Sequence, residues 1–316
     1  DYAVTGVQTC ALPIWISGLL AMAGEIDVPL ADFVSAVDTP MPSGRAMRQM
    51  MLARGVAESD GLVSLGKLKT HALTAMTGAI KNQFGVIPGQ RKAACHVIYP
   101  TLEEFCQMLV DINVHLKPRL YVMDAIVAME GNGPRNGSPR KIGAVLLSRD
   151  PVAVDAAGSL LMGMDPAAIL TSCLGEKAGL GSLNLSGIEA CLIRPQLESC
   201  QIDYGQADCL LQGLKVRGFV KGRILRGIFT RSIAFGAPLA KRHVMQRPAI
   251  DPAVCTRCGL CVSACPVDPC VLTQTGAGPV PVFDYSRCIR CYCCQEICPA
   301  GAIRVHATLI GRLLGL

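Results

Sequence analysis

The sequence "CTRCGLCVSACP" at residues 255–266 recurs as "CIRCYCCQEICP" at residues 288–299. Each copy has the spacing C-x2-C-x2-C-x3-C-P. The two-residue gaps place three thiolates around one face of a 4Fe–4S cube, and a helix carries the fourth cysteine away to the other cube. The spacing therefore predicts two 4Fe–4S clusters with crossed ligands, one held by Cys255, Cys258, Cys261 and Cys298 and the other by Cys288, Cys291, Cys294 and Cys265.

The same tail resembles the bacterial dicluster ferredoxin family over roughly residues 248–306. The segments "VLT" and "AIRV", which follow the two Cys-Pro pairs, match strands of that family. The resemblance implies a small α+β domain that transfers single electrons. Zinc is the alternative metal, but a zinc site needs only four ligands per ion and gives no reason for the x3-Cys-Pro ending.

Two further cysteines of the tail, Cys270 and Cys293, fall outside the ligand spacing, and we expect them to be small packing residues. A redox-active thiol is the alternative. Ten of the seventeen cysteines lie between Cys255 and Cys298. This clustering favours metal ligation in a reducing compartment over a disulfide framework, and we expect a cytoplasmic location.

The composition fits a chain with a large buried core, since 51% of the 316 residues are hydrophobic and 17% are charged. No run of about 18 apolar residues occurs, so the sequence predicts no transmembrane helix. Apolar, strand-like runs alternate with helical ones up to about residue 214, which predicts an α/β domain with a mainly parallel sheet and covering helices. Helices are predicted from His71 to Gly85, over residues 101–116 and after Asp150, which is expected to be an N-cap with Pro151 in the first turn.

Three segments of this larger region resemble the family known only as domain of unknown function 362. They are "KLKTHALTAMTGAIKNQFG" at 67–85, "MDAIVAMEGNGPRNGSP" at 123–139 and "SRDPVAVDAAGSLLMGMDP" at 148–166. The resemblance covers about residues 15–214 and implies an α/β fold, which members often fuse to a ferredoxin module. It supplies no reaction.

Candidate catalytic residues come from the first of these segments. Lys67 and Lys69 are predicted at a strand end, with Thr70 and His71 opening the next helix. A helix N-terminus beside lysines suits a carboxylate or phosphate, so we predict that Lys67 and Thr70 bind a ligand and that Lys69 and His71 act on it. The alternative is a solvated lysine pair with a capping threonine.

Three acidic residues complete the candidate site. Asp124 is predicted at a strand end and as a catalytic group. Glu130 opens the glycine-rich "EGNGPRNG", which differs from the dinucleotide fingerprint in spacing and has no strand leading into it. With Asp155 they are predicted to bind a divalent ion or a substrate cation. Capping and turn roles are the alternative.

A basic stretch separates the two regions. Residues 210–250 contain nine basic residues and no acidic one, although the whole chain has a net charge of only +6. We interpret 215–247 as a linker with solvated charges. Docking of an acidic redox protein or of an anionic membrane surface is the alternative. Nucleic acid is a poor candidate, because no aromatic stacking platform accompanies the charge.

The ends of the chain fall outside these regions. The sequence "VTGVQTCALPI" at 4–14 resembles the translation of a sequencing adaptor, and we expect residues 1–14 not to belong to the native protein. The predicted organisation is therefore an artefact at 1–14, an α/β domain at 15–214, a linker at 215–247, a ferredoxin-type domain at 248–308 and a tail at 309–316.

These features predict an iron–sulfur oxidoreductase in which the clusters exchange single electrons with a small anionic substrate or cofactor on the α/β domain. A redox partner protein, such as a ferredoxin, a flavodoxin or a reductase, is expected to supply or remove the electrons. One alternative is a non-catalytic electron carrier or adaptor that docks a partner enzyme. A second is a protein whose clusters stabilise the tail and sense oxygen or iron.

Overall fold

The computed structural model describes residues 19–89, 91–135, 137–195, 200–212, 214–220, 247–274 and 279–306. The predicted artefact at 1–14, the tail at 309–316 and most of the linker at 215–247 lie outside these residues. The described residues form a larger α/β part, which extends to residue 220, and a smaller C-terminal part, which begins at Arg247.

Helices and strands alternate through the larger part. The helices of the described residues are Leu19–Glu25, Arg54–Ala57, Ala79–Asn82, Arg91–Ile98, Leu102–Leu116, Pro151–Leu161, Leu170–Lys177, Ala207–Gln212, Leu260–Ser263 and Cys293–Ile297. The strands are β1 (Ala36–Pro40), β2 (Gln49–Ala53), β3 (Val63–His71), β4 (Ala75–Thr77), β5 (Leu120–Glu130), β6 (Ser138–Ser148), β7 (Glu189–Pro195), β8 (Cys200–Gln206), β9 (Arg247–Ile250), β10 (Leu272–Thr273), β11 (Val282–Phe283) and β12 (Ile303–His306).

A four-stranded sheet organises the larger part, in the order β4-β3-β5-β6. Its one parallel pairing joins β3 to β5, with Leu65 opposite Val122. The β3–β4 and β5–β6 pairings are antiparallel. The α/β character is therefore confirmed, but the expectation of a mainly parallel sheet is not, because both outer strands return as hairpins from the central pair.

The sheet is covered by helices on one face. The helix Pro151–Leu161 packs on β5 and β6, and its residue Val154 shares a core with Leu68 and Met123. On the opposite face Leu65 and Leu147 are exposed. A sheet with antiparallel pairings tolerates one open face, whereas an all-parallel sheet is normally covered on both.

Two of the predicted helices are present, and both begin at a side-chain cap. The helix Leu102–Leu116 begins with a capping box, in which the Thr101 hydroxyl accepts from the Glu104 N–H while the Glu104 carboxylate accepts from the Thr101 N–H. The Asp150 side chain caps the helix Pro151–Leu161. Both ends follow from local sequence, because a cap needs only residues within one turn.

The helix predicted from His71 to Gly85 is wrong over its first part, because helical structure begins only at Ala79 and continues as a 3-10 helix to Val86. His71 instead ends β3, a tight turn leads into β4, and a helix of four residues follows at Ala79–Asn82. Ala75 has a left-handed φ of 68°, which closes the hairpin and stops helical continuation. Pairing with β3 thus overrides the helical periodicity of this segment.

The C-terminal part is built from the two cysteine repeats. The strands predicted after each Cys-Pro are confirmed as β10 and β12. Strand β9, which opens this part, pairs antiparallel with β12, which closes it, and β10 pairs with β11. The interior is formed by cysteines together with Leu272, Ile297 and Ile303. This arrangement brings the two ends of the repeat region together.

Within the described residues, no helix combines the length and the apolar character needed to cross a bilayer.

Candidate functional site

The structure brings the first predicted ligand set together. Cys255, Cys258 and Cys261 from the first repeat and Cys298 from the second line one cavity of the C-terminal part. Burial raises the pKa of Cys261 to about 11, and the thiols of the other three add to that effect. The crossed fourth residue therefore lies where the spacing requires it.

The second set is gathered in the same way. The thiol of Cys294 lies among those of Cys291, Cys288, Cys261 and Cys265, which together with burial raise its pKa well above the ordinary value. Cys265 comes from the first repeat and the other predicted ligands from the second. Both sets thus combine residues of both repeats.

The backbone between the cysteines is shaped to donate to sulfur. Arg257 and Gly259 have φ values of 59° and 74°, and Arg290 and Tyr292 have 62° and 63°. The Arg257 N–H donates to Cys255 Sγ at 3.4 Å. Alternation of right- and left-handed residues turns successive N–H groups inward and forms an anion-binding concavity, as found at Fe–S sites. The residues present therefore fit 4Fe–4S clusters.

The two cysteines outside the spacing lie beside predicted ligands. Cys270 Sγ accepts from the Leu272 N–H at 3.3 Å and neighbours Cys265. The thiol of Cys293 hydrogen-bonds with that of Cys291 and is partly buried. Two thiols outside the ligand spacing therefore lie beside ligands of the second set.

Among the residues that the structure describes, no three His, Cys, Asp or Glu side chains converge as ligands of a single ion. A cubane is a different case, because four cysteines share its four irons. The finding therefore concerns only sites for a single ion, such as the divalent-ion site predicted at Asp124, Glu130 and Asp155.

The helix Cys293–Ile297 docks on the larger part. Gln295 Nε2 donates to Asn132 Oδ1 at 2.8 Å, and Arg135 Nη1 donates to the Glu296 carbonyl oxygen at 3.2 Å. His71 Nε2 lies 3.1 Å from Glu296 Oε1. A helix that bears one of the predicted cluster ligands is therefore in direct contact with the loop that follows β5 and with the end of β3.

The protonation of His71 follows from its contacts. Its Nδ1 accepts from the N–H groups of Leu73 at 3.0 Å and Thr74 at 3.4 Å, so Nε2 carries the proton and donates to Glu296. Burial, followed by the charge of Lys81, lowers the pKa of His71 to about 4. Desolvation raises the pKa of Glu296, but His71 and Lys81 outweigh it and lower the pKa to about 2. At neutral pH the pair is a neutral imidazole and a carboxylate.

Several basic side chains lie around Glu296, four of them buried and Lys69 partly buried. We call them the basic cluster, defined as Lys69, His71, Lys81, Lys92 and His96. Lys81 is 8% exposed and Lys92 6%. Burial is the main cause of the lowered pKa of Lys81, and it also lowers the pKa of Lys92, to about 7. Buried ammonium groups are costly unless an anion compensates them.

Aromatic rings support the basic cluster. The Lys81 ammonium lies over the Phe84 and Phe105 rings, at 5.4 and 5.9 Å from their centroids. The imidazole of His96 stacks on Phe105 at 4.4 Å. Cation–π contacts retain a positive charge in a desolvated place. The cluster also lies within electrostatic range of Cys293, beside the second ligand set.

Lys67, predicted to bind a ligand, and Asp124, predicted to be catalytic, lie apart from the basic cluster. Lys67 Nζ contacts Asp124 Oδ2 at 2.6 Å, and both side chains are more than 40% exposed. Asp124 lies within β5, opposite Lys67, and not at a strand end. Partial desolvation raises the pKa of Asp124, but the bonds from Lys67 and the Ile126 N–H lower it below its ordinary value. The two residues form an ion pair on the sheet.

Thr70 and Glu130 hydrogen-bond to backbone groups of the chain itself, and neither lies at a helix N-terminus as a ligand-binding residue. Buried Thr70 donates to the Gly131 carbonyl oxygen at 3.1 Å. Glu130 ends β5, so a strand does lead into the glycine-rich segment, and its carboxylate accepts from the Val220 N–H at 2.9 Å. A Cβ on Gly133 would overlap the Thr70 carbonyl oxygen. The glycines thus permit close approach of the chain's own backbone.

Asp155 is buried and caps a helix of the larger part. Its carboxylate accepts from the N–H groups of Ala79 and, at 3.2 Å, Ile80. Burial raises its pKa to about 7. Asp124, Glu130 and Asp155 therefore have three separate sets of partners, and the structure does not bring them together as a cation site.

The sequence prediction missed Lys81, Lys92, His96 and Glu296 as neighbours of Lys69 and His71. A local signal existed in "RKAACHVI", where Lys92 and His96 are four residues apart and share one helix face. Glu296 is 225 residues from His71, so no local pattern connects them.

Comparisons with known proteins agree with this division. Residues 14–159 match the family described as "Domain of unknown function (DUF362)", and residues 247–299 match the one described as "4Fe-4S dicluster domain". The predicted fusion of these two families is confirmed, and the C-terminal part is a ferredoxin-type 4Fe–4S domain.

One curated relative is the "Thylakoid-associated protein sll1697" of Synechocystis sp., which is 33% identical over 168 residues. The match covers 52% of this chain and 51% of that protein. The chain therefore spans about half the length of the curated relative that it matches.

Proposed function

We propose that this protein is an iron–sulfur oxidoreductase, in which two 4Fe–4S clusters exchange electrons with a small anionic substrate or cofactor held at the basic cluster. Cys255, Cys258, Cys261 and Cys298 hold one cluster, and Cys288, Cys291, Cys294 and Cys265 hold the other. When bound, the clusters supply one-electron transfer.

One observation supports this proposal above the others. The helix Cys293–Ile297, which bears a predicted ligand at Cys294, contacts the larger domain through the bond between Glu296 and His71. Buried Lys81 and Lys92 lie within electrostatic range of the same carboxylate. Cluster ligands and buried cations are therefore neighbours.

The residues of the basic cluster have distinct roles in this proposal. Lys81, fixed over two aromatic rings, and Lys69 attract a carboxylate or phosphate group. The neutral imidazole of His71 holds a proton at Nε2 and is oriented by two backbone N–H groups, which suits a proton donor to a reduced substrate. The surrounding phenylalanine rings exclude water.

Partner and location remain part of the proposal. A one-electron carrier protein is the expected source or acceptor, and the basic stretch at 215–247 suits an acidic partner. We expect the protein to be located in the cytoplasm. Because the relative is named thylakoid-associated, attachment to an anionic membrane surface through that stretch is the alternative, and the sedimentation of the protein with membranes after cell lysis distinguishes the two.

The test uses the full-length chain, reconstituted and reduced without oxygen. Small carboxylates and phosphates are screened for those that reoxidise the clusters, followed by their visible absorption. We expect Lys81→Met to slow reoxidation by an active compound at least tenfold, because the buried charge is lost while the apolar stem is kept. Lys177→Met, which removes an exposed lysine, is the matched control.

A reduced chain that none of these compounds reoxidises, but that passes electrons to an acidic redox protein, would instead identify an electron carrier. Equal rates for Lys81→Met and the unmodified chain would place the substrate elsewhere.

A further inference from the structure

An arginine occupies the same place in both cysteine repeats. Arg257 follows Cys255 by two residues and Arg290 follows Cys288 by two, and both have a left-handed backbone, with φ of 59° and 62°. Their surroundings differ. Arg257 is exposed, whereas Arg290 is 2% exposed.

The guanidinium of Arg290 is fixed in the interior. It lies 5.1 Å from the centroid of the Tyr285 ring, whose hydroxyl donates to the Pro248 carbonyl oxygen at 2.7 Å. It also hydrogen-bonds to the thiol of Cys288. Its side chain is therefore held beside the second ligand set by contacts from β9 and from the segment before the repeat.

Two of its donors lack a partner among the described residues. Nε and Nη1 of Arg290 are buried, and no described residue offers them a hydrogen-bond acceptor. A buried charged donor without an acceptor is strongly unfavourable. Sulfur of a cluster on Cys288 is an acceptor of the required kind, and hydrogen bonds to sulfur are among the features that set cluster potentials.

The positive charge of the arginine is therefore buried beside one cluster site and exposed to solvent beside the other. A positive charge in a desolvated place stabilises the added electron of a reduced cluster, while solvent screens an exposed charge. We propose that Arg290 holds the reduction potential of the cluster bound by Cys288, Cys291, Cys294 and Cys265 above that of the other cluster. This inference rests on the proposed filling of both sites.

The consequence is a preferred location for the electron. When the pair of clusters holds one electron, it resides mainly on the cluster beside Arg290. The helix that bears Cys294 is the one that contacts His71 and Asn132 of the larger domain. The electron is thus stored next to the basic cluster, and the ligand set containing exposed Cys258 faces the partner protein.

The test is a redox titration of the full-length chain, followed by electron paramagnetic resonance. Iron and sulfide are measured first, so that failure to bind clusters, which would end the proposed function, is distinguished from failure of this inference. We expect Arg290→Gln to lower only the higher of the two potentials, changing the oxidised-to-reduced ratio at a fixed potential at least tenfold, equivalent to about 59 mV. Arg257→Gln is the matched control and should change neither ratio by as much as threefold.

Three results would overturn the inference. They are unchanged potentials in cluster-loaded Arg290→Gln, a shift of the lower potential instead, and an equal shift in Arg257→Gln. If Arg290→Gln fails to assemble, Arg290→Met decides. It removes the charge but keeps an apolar stem to fill the space, so a fall of the higher potential alone supports the inference and an unchanged potential contradicts it.

Discussion

His96 shows how burial controls the charge of single residues in this protein. Its ring stacks on Phe105 and meets Phe84 edge-on. Burial first of all lowers the pKa of His96 to about 4, with Lys81 and His71 adding to the effect and Glu296 opposing it. The same environment keeps His71 neutral. Two histidines thus contribute hydrogen bonding and stacking without adding positive charge to the basic cluster.

This neutrality predicts a loss of stability in mild acid. As the pH falls below 6.5, His96 of the unfolded chain takes up a proton, but in the folded chain it does so only near pH 4. The contribution of His96 to the free energy of unfolding is therefore fully present above pH 6.5. It falls by up to about 3 kcal/mol as the pH decreases towards 4. We expect the midpoint of anaerobic thermal unfolding to fall less across this range in His96→Gln than in the unmodified chain.

The control for the pH experiment is His115→Gln, which changes an exposed histidine at the end of the helix Leu102–Leu116. Its pH profile should follow that of the unmodified chain. Parallel profiles for all three proteins would mean that His96 is not neutral in the folded state.

At the scale of secondary-structure elements, the four-residue helix Ala79–Asn82 depends on a neighbouring helix. An isolated helix of this length has no stability in water. Asp155, from the helix Pro151–Leu161, accepts from two of its first N–H groups. A Cβ on Gly78 would overlap that carboxylate. The short helix is therefore fixed by tertiary contact, and it positions Lys81.

We expect Asp155→Ala to destabilise the fold by about 1–3 kcal/mol for each of the two N–H groups that it leaves without an acceptor. Asp155→Asn keeps one acceptor oxygen and should cost less. The measurement is the denaturation midpoint followed by far-UV circular dichroism. Glu103→Ala, which removes an exposed acidic residue, is the control. A ligand-binding role for Asp155 would instead predict a folded protein of unchanged stability.

At the scale of the whole molecule, the two cysteine repeats are interlocked. Cys298 lines the cavity of the first repeat, and Cys265 lies among the thiols of the second. The pairing of β9 with β12 closes the domain around them. Each proposed cluster therefore ties together residues from both halves, and neither repeat forms a complete ligand set alone.

This crossing predicts which cluster a ligand substitution removes. We expect Cys298→Ser to lose the cluster of the first repeat while keeping the second, reducing bound iron and sulfide by about half. Cys293→Ser, a neighbouring cysteine outside the ligand spacing, should keep both. Iron and sulfide analysis with spin counting of the reduced protein provides the measurement. Loss of one cluster in Cys293→Ser, with the other kept, would make Cys293 a ligand.

The sequence alone predicted the cysteine ligand sets, and it determined the strands after each Cys-Pro pair, the capped helices Leu102–Leu116 and Pro151–Leu161 and the division into two families. Each of these is encoded by residues only a few positions apart, because thiolate spacing, helix capping and apolar periodicity are local properties. Local spacing therefore assigns the ferredoxin-type repeats to particular cysteines without tertiary information.

Only the tertiary structure decided the direction of the strand pairings, where the helix after His71 begins and which residues form the basic cluster. Its lysines and histidines come from β3 and two helices, and Glu296 comes from the other domain. The burial of Arg290, against the exposure of Arg257 in an identical motif, was decided in the same way. Burial depends on which distant segments pack around a residue, and the residues next to it in the sequence do not determine this.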